Sequence, residues 1–290
     1  MEAGMSLTEN GINIKIGVVH LNVTQLDRAQ FFFEEGLGFK EIKKNESEVI
    51  LGNLDKQPLI ALHKVNNPTP RKRTTGLYHI AILLPSREDL ARLIYHMVNN
   101  QINIEGTADH GVSESFYLTG PEETGIELYC DRPMEDWPID DEGQLDMGTD
   151  PLDIDDLMYA LQGKNKQWNG LPSGTRIGHI HLRAAELEKT SDFYSLIGLE
   201  VTQDYGESAL FFAGGEYHHH IALNTWQSAG AEPLPEDTAG LRFFEILVEN
   251  PEILKEIKGT LETQDINFEG NDQGISVTDP NGIHILIRKE

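Results

Sequence analysis

The sequence has a single cysteine, few basic residues and no long apolar run, and each scarcity excludes a class of protein. With Cys130 as the only cysteine among 290 residues, the chain can form no internal disulfide and no multi-thiolate zinc site. Its 48 acidic and 23 basic residues give a formal net charge of -25, which argues against a nucleic-acid or an anionic-membrane partner. Any metal would have to be held by nitrogen and oxygen ligands.

The lack of a long apolar stretch also bears on location. No window approaches the roughly 18 apolar residues that a membrane span needs, and the N-terminus shows no basic start followed by an apolar signal core. We therefore expect a cytoplasmic protein without a membrane partner. The apolar fraction of 39% supports a sizeable core, and the length predicts about two domains. Whether the protein forms a homo-oligomer stays open.

What the sequence does contain is a repeat. Four segments, 15–65, 75–131, 176–226 and 239–287, share a short apolar strand, an amphipathic helix and further strands. Segment one resembles segment three, and two resembles four. Between them, residues 132–173 form an acidic connection punctuated by prolines, with a helix expected from Asp153 to Gln162 and Asp153 as its cap. The predicted units are therefore 1–131, a linker at 132–173, and 174–290.

Three consecutive histidines precede an apolar run in segment three. If His218, His219 and His220 belong to a strand, His218 and His220 face one way and His219 the other. A polar strand end at the surface is the simplest interpretation of such a run taken alone. Imidazoles also carry protons near neutral pH and bind metals, so the run raises a chemical question.

Three further motifs each place a histidine or a carboxylate within an apolar, strand-like run. His79 stands in Gly-Leu-Tyr-His, Glu127 in Gly-Ile-Glu-Leu-Tyr, and His179 in Gly-His-Ile-His-Leu. Either histidine alone would more often be a hydrogen-bonded core residue. Glu127 is harder to explain in this way, because a carboxylate within an apolar strand needs a partner when it is buried.

These motifs, with three others, resemble a known family. Tyr117 stands ten residues before Glu127, the pair His110-Gly111 stands a little earlier, and His219 directly precedes a strand-like run. Together with the fourfold repeat, they make the chain similar to the vicinal oxygen chelate superfamily. Within it, the chain looks most like the bacterial catechol 2,3-dioxygenases of the CatE type.

The resemblance implies an α+β fold in which βαβββ modules pair and curl into two metal-cup half-barrels. It also implies a mononuclear non-haem Fe(II), with Mn(II) as the alternative, held by His79, Glu127 and His179. His219 would act as the acid-base residue, while Tyr117 and His110 would hydrogen-bond a substrate oxygen. The activity implied is extradiol cleavage of a catechol-like diol by O2.

One feature departs from the usual extradiol plan, in which the last two modules supply the ligands. Here His79 and Glu127 lie in module two and His179 in module three, so a shared metal requires these two modules to form one cup across the linker. Aligning module four on module two places Phe243 opposite His79 and His284 opposite Glu127. His20 is the substitute ligand if modules one and two pair instead.

Two other functions remain open at this stage. A metal-dependent isomerase or thiol transferase of the glyoxalase kind could use the same fold, although it has no need for His219, Tyr117 and His110 together. A binding protein of the bleomycin-resistance kind could use the fold without a metal, but the three candidate ligands argue against it.

Overall fold

The computed structural model describes residues 12–66, 68, 69 and 73–290. The first eleven residues, where the sequence shows no signal core, lie outside the described residues. Among the described residues, no helix is long and apolar enough to cross a membrane.

Four copies of a strand, a helix and three strands follow one another along the chain, which confirms the predicted α+β fold. In module one these are β1 (Ile14–Val23), α1 (Leu26–Phe31, continued by a π-helical stretch Phe32–Leu37), β2 (Lys40–Lys44), β3 (Glu48–Gly52) and β4 (Pro58–Lys64). In module two they are β5 (Gly76–Leu83), α2 (Arg87–Asn99), β6 (Gly106–Asp109), β7 (Ser113–Thr119) and β8 (Gly125–Asp131).

The second half repeats this order after the linker. A short helix, α3 (Ile154–Tyr159), lies in the linker. Module three contains β9 (Arg176–Arg183), α4 (Leu187–Leu196), β10 (Glu200–Asp204), β11 (Ala209–Ala213) and β12 (Ile221–Asn224). Module four contains β13 (Gly240–Val248), α5 (Pro251–Thr263), β14 (Phe268–Asn271), β15 (Gly274–Thr278) and β16 (His284–Lys289).

The sixteen strands of the described residues form two eight-stranded sheets. Sheet I has the order β14-β15-β16-β13-β1-β4-β3-β2 and joins modules one and four. Sheet II has the order β10-β11-β12-β9-β5-β8-β7-β6 and joins modules two and three. Each sheet is held at its centre by an antiparallel pair, β1 with β13 and β5 with β9. The first and last modules thus lie in one sheet, and the middle two in the other.

Alternation along the central strands separates two environments. Ile80 and Ile82 of β5, like Ile126 and Leu128 of β8, belong to the main hydrophobic core. Successive side chains of a strand point to opposite faces, so the intervening residues of these strands face the other side of sheet II. His79 and Glu127 are among them.

The linker helix is shorter than the sequence predicted, since α3 ends at Tyr159 and is followed by turns. At its start, Asp153 Oδ1 accepts a hydrogen bond from the backbone N–H of Asp156 at 2.9 Å. This is the N-cap interaction that short polar side chains commonly make.

The alignment of His284 with Glu127 was wrong by two residues. Ile80 pairs with Ile126 in sheet II, and Phe244 pairs with Ile285 in sheet I. Since Phe243 corresponds to His79, the residue that corresponds to Glu127 is Leu286. The register of β16 depends on the turn that precedes it. The similar sequences of the turns before β8 and β16 did not reveal that the registers differ.

Candidate metal centre

Three neighbouring strands of sheet II place the predicted ligands side by side. In the register of the sheet, Ala81 of β5 lies opposite Glu127 of β8 on one side and His179 of β9 on the other. His79 stands two residues before Ala81 and therefore projects from the same face. Between these two larger neighbours, the small Ala81 side chain is fully buried.

Two glycines permit this close packing. A Cβ at Gly178, beside the ligand His179, would lie 1.7 Å from the hydroxyl of Tyr129. A Cβ at Gly125 would lie 2.4 Å from the Tyr78 carbonyl and 2.9 Å from the His79 Cβ. Glycine in the Gly-His and Gly-Ile-Glu motifs is therefore required by the approach of neighbouring atoms to the backbone.

The ligating atoms converge on one point. Glu127 Oε2 lies 3.0 Å from His79 Nε2 and 3.2 Å from His179 Nε2, and the two nitrogens are 3.3 Å apart. Ligands bound at about 2.1 Å and separated by angles of about 90 to 110° have donor atoms about 3.0 to 3.4 Å apart. The three separations fit a single divalent ion, and this is the one such cluster found among the described residues.

Charge and burial favour the metal-binding forms of Glu127 and His179. Burial alone would raise the pKa of Glu127, but the charges and hydrogen bonds of His179 and His79 outweigh it and hold that pKa well below its usual value. Burial lowers the pKa of His179 to about 4, although the charge and the hydrogen bond of Glu127 act to raise it. A carboxylate and a neutral imidazole are the forms that bind metals.

Ser115 holds the Glu127 carboxylate through the oxygen that does not face the histidines. Its hydroxyl donates to Glu127 Oε1 at 2.7 Å, and the serine is fully buried. The second carboxylate oxygen, Oε2, is then the one that faces the two histidines. Such hydrogen bonds fix the orientation of metal ligands.

Tyr117 and His110 form a hydrogen-bonded pair beside the cluster. His110 Nδ1 lies 2.7 Å from the carbonyl of Gly148, so it carries the proton and donates it there. His110 Nε2 then accepts from the Tyr117 hydroxyl at 2.7 Å. Burial, and after it the charge of Glu127, raises the pKa of Tyr117 well above its usual value, so the hydroxyl keeps its proton.

His219 packs against the candidate ligand His179. The centroids of these two rings are 4.1 Å apart, and His219 also contacts the ring of Phe211. Burial, reinforced by His179 and His218, lowers the pKa of His219 well below its ordinary value. The ring is therefore neutral and has one nitrogen free of hydrogen to accept a proton.

The alternation predicted for the histidine run was wrong. Strand β12 begins only at Ile221, and the three histidines occupy the turn before it. Without strand geometry, His218 does not face away from His219, and their Nδ1 atoms lie 2.8 Å apart. His220 is buried close to the backbone of Gly214, with its Nδ1 3.3 Å from that N–H.

A cavity of about 760 Å³ opens over the cluster and is lined by all six predicted site residues. Three further contributions complete its wall. His181 is buried against His79 and accepts a hydrogen bond from Asn224 at 2.9 Å. The linker supplies Met147, Gly148 and Thr149, and an aromatic wall comes from Tyr78, Phe211 and Trp226. His181 was not among the predicted site residues, although its spacing of two from His179 places it on the same strand face.

His20 is not part of this centre. It lies in β1 of sheet I, where its Nδ1 is 2.9 Å from His63 Nε2. The substitute ligand for a pairing of modules one and two therefore belongs to the other sheet.

A fourfold βαβββ repeat whose paired modules carry a two-histidine, one-carboxylate cluster in a cavity is typical of proteins of the glyoxalase and dioxygenase fold. Residues 15–128 match the profile of the Glyoxalase/Bleomycin resistance protein/Dioxygenase superfamily. The chain is also 35% identical over 271 residues to the catechol-2,3-dioxygenase of Bacillus subtilis (strain 168), covering 91% of this chain and 93% of that protein. It belongs to this superfamily.

Solved structures agree on the fold. The CppA protein of Streptococcus pneumoniae TIGR4 superposes with a TM-score of 0.58 at 12% identity, covering 97% of this chain and 99% of the other. Glyoxalase I of Zea mays superposes with a TM-score of 0.56 at 14% identity, covering 96% and 92%. At such identities the likeness concerns the fold and not the chemistry.

Proposed function

We propose that this protein is an extradiol ring-cleaving dioxygenase that inserts O2 next to the diol of a catechol-like substrate. The observation that carries the proposal is the convergence of three metal-ligating side chains with His219 and the Tyr117–His110 pair around one cavity. The relative at 35% identity that is named a catechol-2,3-dioxygenase supports it.

The donor set favours Fe(II), with Mn(II) as the alternative. Two imidazoles and one carboxylate on one face leave adjacent coordination positions open, which is typical of non-haem Fe(II) oxygenases. When bound, the ion would supply positions for both diol oxygens and for O2 and would lower the pKa of the diol. His79, Glu127 and His179 would hold it.

The surrounding side chains would manage protons and orientation. The neutral His219 imidazole accepts a proton released from the diol, which is the role of a general base. The Tyr117 hydroxyl, held by His110, presents its oxygen lone pairs towards the cavity and orients a substrate hydroxyl. The linker wall around Gly148 limits the access of water to these groups.

The cavity wall also indicates the class of diol. No lysine or arginine is among the described residues that line it, and its rim carries Tyr78, Phe211 and Trp226. An acidic substituent would have no cation to pair with there, whereas an apolar one would bury against the aromatic rings. We therefore expect catechol and alkylcatechols to be better substrates than carboxylated catechols.

The test is anaerobic loading with Fe(II), or with Mn(II), followed by a diol and O2. We expect O2 uptake and a yellow semialdehyde from catechol and 4-methylcatechol, and at least about tenfold lower kcat/KM with 3,4-dihydroxyphenylacetate, which corresponds to about 1.4 kcal/mol. Glu127→Ala serves as the control without a complete ligand set. Metal-loaded protein that cleaves none of these diols would contradict the proposal, and turnover of a glutathione hemithioacetal would favour a glyoxalase-type isomerase.

A further inference from the structure

A chain of hydrogen bonds leads from His219 away from the cavity. His219 Nδ1 lies 2.8 Å from His218 Nδ1, and His218 Nε2 lies 3.0 Å from Asp131 Oδ1. Asp131 ends β8, four residues after the ligand Glu127. These contacts join the histidine turn of module three to a central strand of module two.

The chemistry of each group directs the protons along this chain. A carboxylate only accepts hydrogen bonds, so His218 Nε2 must carry the proton that it shares with Asp131. A neutral His218 then has a bare Nδ1, which can only accept. The proton of the contact between the two histidines therefore belongs to His219 Nδ1, and His219 Nε2 is left bare.

The geometry points to His218 and Asp131 as positioning residues: we propose that they fix His219 in the tautomer whose unprotonated Nε2 is available to the substrate. This inference rests on the proposed function, because it concerns the residue assigned there as the proton acceptor. Among the described residues none hydrogen-bonds to His219 Nε2, and His219 lines the cavity. The nitrogen that the chain leaves bare is thus the one not engaged elsewhere.

Packing around His218 holds the chain in place. Only 1% of its surface is exposed, and its ring lies 4.0 Å from that of Tyr217 and 5.3 Å from that of Trp137. Tyr217 also donates to Asp131, with its hydroxyl 3.1 Å from Oδ2, and lies 2.8 Å from the Tyr129 hydroxyl. Tyr217 therefore orients Asp131, and Asp131 in turn orients His218.

Within the part of the chain that the structure describes, the neighbouring His220 makes no equivalent chain. His220 Nδ1 faces the backbone N–H of Gly214. His218 therefore differs from His220 in its hydrogen bond to a carboxylate. Of the two neighbours, His218 is the one placed to fix the tautomer of His219.

The tautomer can be measured without turnover. Nitrogen-15 spectra of full-length protein labelled at histidine and loaded with Zn(II) distinguish ring nitrogens that carry a proton from those that do not, and comparison with His219→Gln assigns the signals. We expect His219 to be protonated at Nδ1 and bare at Nε2. A wild-type spectrum with the proton on Nε2 would overturn the inference.

Asp131→Asn tests the origin of the tautomer. An amide can donate to His218 Nε2 as well as accept from it, so the direction of the chain is no longer imposed. We expect a mixture of His219 tautomers and a kcat lower by about tenfold or more, with the metal content and KM nearly unchanged. An unaltered spectrum together with an unaltered kcat would refute the role of Asp131.

Tyr217→Phe is the matched control. It removes the other hydrogen bond to Asp131 but keeps the ring against His218, so we expect the wild-type tautomer to remain. An equal disturbance in both variants would mean that general packing of the turn, and not the carboxylate, positions His219. If the wild-type protein cleaves no diol, the spectra still decide the tautomer, so the failure of the proposed function is distinguished from the failure of this inference.

Discussion

Removing the hydroxyl of Ser115 should weaken metal binding although this residue touches no metal. The hydroxyl donates to Glu127 Oε1 at 2.7 Å in a fully buried setting, so Ser115→Ala leaves one oxygen of a charged group without its partner. A hydrogen bond to a charged group contributes about 1.5 to 3 kcal/mol. Loss of comparable supporting bonds in metal sites costs about 10 to 100-fold in affinity, which is the same range.

The assay is a competition titration of Zn(II) or Fe(II) against a chelator of known affinity, with the free energy of unfolding measured in parallel. Ser228→Ala is the matched control, since Ser228 is also fully buried and donates to a backbone carbonyl, that of Ala184, at 2.8 Å. Both variants should lose about 1 kcal/mol or more of stability. Only Ser115→Ala should bind the metal more weakly. Wild-type affinity in this variant, or equal weakening in the control, would refute the reasoning.

Three further predictions concern the ligands, the space between them and the charge of sheet I. Glu127→Ala should lose the metal, whereas His219→Ala should keep it and lose most turnover; metal analysis beside kinetics checks this, and equal metal loss would contradict the division of roles. Ala81→Leu should fold but not bind metal, because its side chain would enter the gap between the flanking ligands; a normal metal stoichiometry would count against that geometry. Burial would raise the pKa of Glu245, but His20 and Arg288 outweigh it and lower that pKa to about 2 from 4.5. Because the folded pKa is depressed, this stabilisation of at most roughly 3 kcal/mol is present above about pH 4.5 and is lost towards pH 2. Arg288→Ala should therefore be less stable at pH 7, with a difference from wild type that shrinks on acidification in urea unfolding; a constant difference would contradict the assignment.

Local patterns were sufficient to predict the modular fold. Each module can be identified by a period-two strand followed by an amphipathic helix with a recognisable end. In module one this end is Gly38, which adopts the left-handed conformation. Because similar modules bury similar faces, the repeat also predicts two similar sheets. The two-residue error at β16 shows the limit, since register depends on the turn that precedes a strand and on the partner strand, and neither is encoded in the strand itself.

Some residues at the cavity could be predicted from the sequence, and others could not. His79, Glu127 and His179 could be named because their motifs are local and match the motifs of a known family. The contribution of Gly148 could not, because a backbone carbonyl leaves no mark in the sequence. Asp131 was also missed, since its link to His218 joins residues 87 positions apart and exists only in the folded chain.

The nested arrangement of the two sheets has a consequence for how the protein is made. All strands of sheet II lie before residue 225 of the chain. In sheet I, the antiparallel pairing of β1 can form only after β13, more than 200 residues further on, has been synthesised. Contacts so distant along the chain close slowly, because a long loop has to be ordered first. During synthesis we therefore expect the half that carries the candidate metal centre to assemble while the first module still exposes an unpaired strand edge. Module one, although it is synthesised before the other three modules, is then among the last to reach its final partner.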